Sequence, residues 1–154
     1  MKGVIAVLLL SFALVSAVEH GTFGVGALLG EPLGLSAKVW LPDPTALDFA
    51  VGWSLTADWL YFHTTYLYHF YNIIPDPHLS LYLGLGGRLK LLGRPPQGTE
   101  KSRLRLGPRL SGGIEFLYRP IGVFFELGPV IDLIPETNLD MTGGFGIRLY
   151  FPLR

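Results

Sequence analysis

The chain has 154 residues, enough for one domain, with no cysteine and a formal net charge of zero. This excludes a disulfide framework and a lipid-anchored N-terminal cysteine, and no basic field points to nucleic acid. Only 16% of residues are charged, against about 25% in typical soluble domains, and mean hydropathy is positive at +0.41.

The first element reads as an export signal over residues 1–17. Met1-Lys2-Gly3 is a short basic start, Val4 to Val15 is apolar, and Val15-Ser16-Ala17 supplies small residues before a cut ahead of Val18. The apolar run is too short for a spanning helix, which needs about 20 residues. No later segment is long enough either, so residues 18–154 are expected to form one all-β domain.

Eight strands follow. The first covers Thr22–Leu29 and the second Leu35–Leu41, joined across Gly30-Glu31-Pro32-Leu33-Gly34. Pro42-Asp43-Pro44-Thr45 ends the second, because proline cannot donate to a ladder. The third is Ala46–Leu55, and Thr56-Ala57-Asp58 leads to the fourth, Trp59–Tyr71. Asn72 to His78 turns into the fifth, Leu79–Leu91. Gly93 to Ser102 is the longest and most polar link and precedes the sixth, Arg103–Tyr118. Arg119-Pro120 leads to the seventh, Ile121–Leu133, and Ile134 to Thr137 to the eighth, Asn138–Phe151. These lengths suit tilted membrane strands, and eight is an allowed even number. Pro108 and Pro129 interrupt the sixth and seventh strands, which predicts a bulge on that side, near the end with the long link.

Period-two alternation assigns two unlike faces. In the fifth strand Leu79, Leu81, Leu83, Leu85, Leu89 and Leu91 oppose Ser80, Tyr82, Gly84, Gly86, Arg88 and Lys90. The same rule collects Lys38, Asp48, Arg88, Lys90, Arg105, Arg109, Glu115, Glu126, Asp132, Asp140 and Arg148 on one Gly-rich face. The other face is bulky, apolar and uncharged. An Arg or Lys facing the bilayer midplane costs about 2–4 kcal/mol, so the charged face is expected inside a barrel and the apolar face against lipid. Six cations and five anions make pairing feasible. On this reading a charge at Leu83 impairs folding, whereas Gly84→Ser is mild. The fourth strand fits least well, with aromatics on both faces. Trp53, Trp59, Tyr66, Tyr68 and Tyr71 are candidates for an interfacial girdle.

These ordered features resemble the small eight-stranded outer-membrane barrels, the architecture of the OmpA membrane domain and OmpX. Gly26 to Trp40 also looks like the opening hairpin of short, uncharacterised bacterial barrel proteins, a family with no activity to carry over. The resemblance implies an eight-stranded antiparallel up-and-down barrel in the outer membrane, with lipid and the barrel-assembly machinery as partners and a monomeric state. It implies termini and short turns on the periplasmic side. One departure stands at the C-terminus: such barrels usually end on an aromatic, whereas Tyr150-Phe151 is followed here by Pro152-Leu153-Arg154.

An eight-stranded interior is just wide enough for side chains to fill, so a solute pore is not expected. The leading function is a non-enzymatic barrel with a structural or interaction role, and no cofactor, metal or catalytic residue is assigned. One alternative is a lipid-modifying enzyme on the same scaffold, sketched from His63, His69, Thr65 and Ser54. Asp43, Asp76 and His78 match no trusted metal spacing. The other alternative is a secreted lipocalin-like barrel carrying an apolar ligand, which requires the two faces reversed.

Overall fold

The structure, a computed structural model, describes residues 22–54, 56–93, 104–134 and 136–152. The expected export signal over residues 1–17 and most of the long link lie outside the described residues. The eight strands are β1 (Thr22–Glu31), β2 (Leu33–Trp40), β3 (Thr45–Trp53), β4 (Trp59–Phe70), β5 (Leu79–Leu92), β6 (Leu104–Tyr118), β7 (Ile121–Asp132) and β8 (Asn138–Pro152). Each pairs with its neighbour in the chain, and β1 pairs antiparallel with β8 from Thr22↔Pro152 to Glu31↔Gly143. The fold is therefore a closed eight-stranded antiparallel barrel, and no strand edge is left open to aggregate.

The first hairpin is tighter than its sequence suggests. Pairing runs to Leu28↔Gly34, and only Pro32 separates the two strands. Gly30 takes a φ of +133° there, a conformation that a side chain would strain.

The predicted bulge is displaced from the prolines. Pairing at Arg109↔Val130 and at Gly112↔Leu127 keeps one register, so neither proline inserts a residue. Beyond them, the amides of Leu133 and Ile134 both donate to the carbonyl of Leu106, at 2.8 and 3.3 Å. Two residues facing one is a bulge, set at the β7 end nearest the long link.

Burial follows the pleat. Leu83, Leu85, Leu110, Phe125, Leu127, Met141, Ile147 and Leu149 are exposed on the outside, Leu85 at 61%. Lys38, Arg88, Glu115 and Asp132 are at 0–1% inside. This is the reverse of a soluble barrel, so the lipocalin-like arrangement, with charges outward, is not the one formed. β4 obeys the rule as well: Tyr61, His63, Thr65, Leu67 and His69 are buried, while Leu60, Tyr66 and Tyr68 are exposed.

Two expectations are corrected. Trp59 does not join an outer girdle: the inward-facing Lys90 has its Nζ 4.3 Å from the Trp59 ring centroid. Nor is Gly84 a tolerant position, because an added Cβ would meet Leu67, Thr65 and Ser111 side-chain atoms at 2.5–2.7 Å.

Gly86 marks a still closer approach, one of backbone to backbone. A Cβ there would lie 1.9 Å from the carbonyl oxygen of Thr64 on β4. At the next residue, Gly87, the nearest atom is 3.9 Å away. Gly86→Ala is expected to cost about 1–3 kcal/mol through forced backbone shifts, and Gly87→Ala almost nothing. Urea unfolding of the two variants in micelles checks this, and equal losses would show that the β4–β5 approach is not constrained.

Candidate functional site

The barrel interior is the site the fold builds. Every strand sends alternate residues into it, so one sequence parity becomes one enclosed volume. Eight of the eleven expected interior charges are fully buried: Lys38, Arg88, Arg109 and Arg148 against Asp48, Glu115, Glu126 and Asp132. The numbers balance, and each cation has a carboxylate partner.

Glu115 on β6 is the centre of the first cluster. It accepts from Lys38 Nζ on β2, and from Tyr150 Oη on β8 at 2.5 Å. Lys38 also donates to His69 Nε2 at 2.9 Å and lies 4.1 Å from the Trp40 ring centroid. Arg148 Nη1, 3.8 Å from Glu115 Oε1, links this cluster to the next.

There Arg148 donates to Asp48 and to Ser36 Oγ, and its guanidinium carbon lies 3.8 Å from the Phe124 ring centroid. Asp48 can only accept, so His63 Nε2 donates to it at 3.0 Å. His63 Nδ1 is then left to accept the Tyr61 hydroxyl at 2.8 Å. Arg109 donates to Glu126 and to Thr65 Oγ1, and Tyr82 Oη donates to Glu126 at 3.0 Å. Toward the long link, Arg88 Nη2 reaches both oxygens of Asp132 at 2.6 Å, and Nη1 reaches Asp140 at 2.7 Å.

Burying an ion costs several kcal/mol unless good geometry and extra hydrogen bonds compensate. The serine, threonine and tyrosine partners supply those bonds. The sequence reading left Tyr61, Tyr82, Tyr150, Ser36 and Thr142 outside the charge set. Parity had already set Tyr82 on the charged face, without a role in the pairing, and the other four share it. Asp140, Lys90 and Arg105 are only partly buried, at the end nearest the long link. Among the described residues Lys90 and Arg105 make no ion pair.

The sketched acyl-transfer group does not assemble. Ser54 Oγ contacts Thr56 Oγ1 at 3.3 Å in the β3–β4 link, while His63 and His69 are bonded inside the barrel. Asp48, His63 and Glu126 bring one ligand atom each within 4.8 Å of one another. The guanidinium groups of Arg148 and Arg109 already stand against those carboxylates, so the chain itself supplies the cations. The turn residues act locally. Asp76 accepts the His78 amide at 2.8 Å, which holds its carboxyl below the usual range. Burial, with Asp43 as hydrogen-bond acceptor, pushes the Tyr71 hydroxyl up. Between Leu28, Pro32, Phe124 and the central ion pairs there is room for about one water molecule.

No family model matches the chain, and no curated protein matches it. Among solved structures, the N-terminal β-barrel domain of Pseudomonas aeruginosa OprF is similar over 87% of this chain and 98% of that one, at 14% identity and a TM-score of 0.63. The outer membrane enzyme PagL aligns over 87% of this chain and 99% of its own, at 15% identity and a TM-score of 0.41. The OprF likeness is one of fold: the closed eight-stranded barrel.

Proposed function

We propose that this chain is an integral outer-membrane β-barrel protein with a side-chain-filled interior and a structural or interaction role rather than an enzymatic one. The observation that carries the reading is the inverted burial: four buried cations and four buried anions inside, a continuous apolar surface outside. Water would penalise that outer surface, since soluble monomers rarely expose apolar patches above a few hundred Å². A hydrocarbon surround removes the penalty, and the closed ladder satisfies the backbone.

Exposed Tyr68, Tyr71, Phe116 and Tyr118 stand toward the strand ends beside the short turns, where an interfacial aromatic belt belongs. The paired interior, whose cavity beside Leu28 and Phe124 has room for about one water, favours a plug over a solute channel. Both imidazoles on β4 are held by carboxylate, ammonium or phenol partners, which favours a non-catalytic role.

The full chain is expected to be exported, to fractionate with the outer membrane, and to need detergent for a monodisperse state. In proteoliposomes it should pass no sugar. A monodisperse monomer in plain buffer would overturn the membrane reading, and sugar flux would overturn the plug.

A further inference from the structure

The interior pairs are balanced, but the mouth beside the long link is not. Lys90 on β5 and Arg105 on β6 are register partners, directly across from one another on the inward face. Like charges placed opposite in a sheet repel. Arg88, one inward position below Lys90, divides its Nη atoms between Asp132 and Asp140. Its buried Nε has no hydrogen-bond partner among the described residues. Among the described inward-facing residues here, three cations therefore share two carboxylates, a surplus of one positive charge. Lys90 and Arg105 have no carboxylate within salt-bridge distance among the described residues. Lys90 is instead held over the Trp59 ring, at 4.3 Å. The ring offsets part of the repulsion, but no carboxylate of the described residues pairs with either cation directly.

We propose that Lys90 and Arg105, backed by Arg88, form an anion site at the barrel mouth that takes a phosphate oxyanion. The chemistry fits the donors. Arg105 offers a planar fork of N–H groups suited to two phosphate oxygens, and Lys90 a compact ammonium for a third. One phosphate carrying one to two negative charges neutralises the surplus and separates the two cations. The same group occurs as free phosphate and as the monoester headgroup of a lipid. The rim position, beside the exposed apolar Leu91 and Leu106, admits either source. The site itself does not depend on the membrane reading; only the lipid source does.

The full chain, folded in zwitterionic micelles, tests this by thermal unfolding followed by far-UV circular dichroism. Three probes are added in turn: inorganic phosphate, phosphatidic acid, and phosphatidylcholine as a lipid without a phosphomonoester. A rise in Tm with phosphate alone assigns a soluble anion. A rise with phosphatidic acid only, and none with phosphatidylcholine, assigns a lipid headgroup. Lys90→Gln and Arg105→Gln should each weaken the response about tenfold. Arg119→Gln, at an exposed turn on the opposite end, should leave it intact. Without any anion, Lys90→Gln should melt at the same temperature or higher, because repulsion is relieved; a lysine needed only for structure would melt lower. No response to phosphate or phosphatidic acid, or equal loss in Arg119→Gln, would overturn the site.

Discussion

Replacing Glu115 with Gln should cost the folded barrel about 3–5 kcal/mol, the usual loss when one partner of a buried ion pair is removed. The shape is kept and the charge is not. Lys38, fully buried, then loses its only hydrogen-bonded carboxylate among the described residues: Asp48, opposite it in register, is already held by Arg148 and His63, and the other neighbours of Lys38 are His69 and the rings of Trp40 and Tyr82. Arg148 retains Asp48 and Ser36 but loses the second carboxylate, and the Tyr150 hydroxyl can still donate to the amide oxygen. The damage is thus concentrated on Lys38. It follows that Lys38→Met combined with Glu115→Gln should recover more than half of the loss, because no ion is left unpaired. Urea unfolding of the wild type, the two single variants and the double variant in micelles gives the coupling directly. A double variant worse than Glu115→Gln alone would mean that packing, not charge pairing, holds this part of the barrel.

The second large effect belongs to the outer face. Leu85 lies at the middle of β5, 61% exposed, between Tyr66 on β4 and Leu110 on β6. Leu85→Arg places a charge at mid-depth and should cost about 2–4 kcal/mol in a bilayer. Leu91→Arg, on the same face near the strand's end, should cost about 0–1 kcal/mol, because the side chain reaches the interface. Leu85→Ala separates loss of packing from introduction of charge. Unfolding in lipid bilayers compares the three. A cost independent of depth would remove the case for a hydrocarbon surround, whatever the stability of the barrel itself.

Most of the architecture was legible because a barrel uses one rule throughout. Alternation with period two sorts every strand, and in this chain a charge marks the inward parity in six of the eight strands, β1 and β4 excepted. β4 was hard to read for a physical reason. Tyr, His, Phe and Leu all favour strands, so their types do not separate a polar lumen from lipid. Its orientation comes from its neighbours, with Tyr61 beside Lys90 and His63 beside Arg88.

Partner identity was not legible. Lys38 faces Asp48 in register but bonds to Glu115, while Asp48 bonds to Arg148. Long side chains cross the lumen, and strand pairing says nothing about which ones meet there. The tight roles of Gly84 and Gly86 were hidden for a related reason: the sequence shows a missing side chain, not what fills its place.

The lumen contacts also constrain the order of assembly. Arg148 meets Ser36 and Asp48 across separations of 112 and 100 residues, and Lys38 meets Glu115 across 77. The Arg148 contacts need the last strand in place beside the first, and the Lys38–Glu115 contact needs the sheet curled until β2 faces β6. A sheet of five strands would carry Lys38, Asp48 and Arg88 on an open inner surface without Glu115, Arg148 and Asp132. Such a half-built sheet can be tolerated only where that surface stays wet. Charge pairing in the lumen and the register of β1 with β8 are therefore coupled: a barrel closed in another register would set Arg148 away from Ser36 and Asp48.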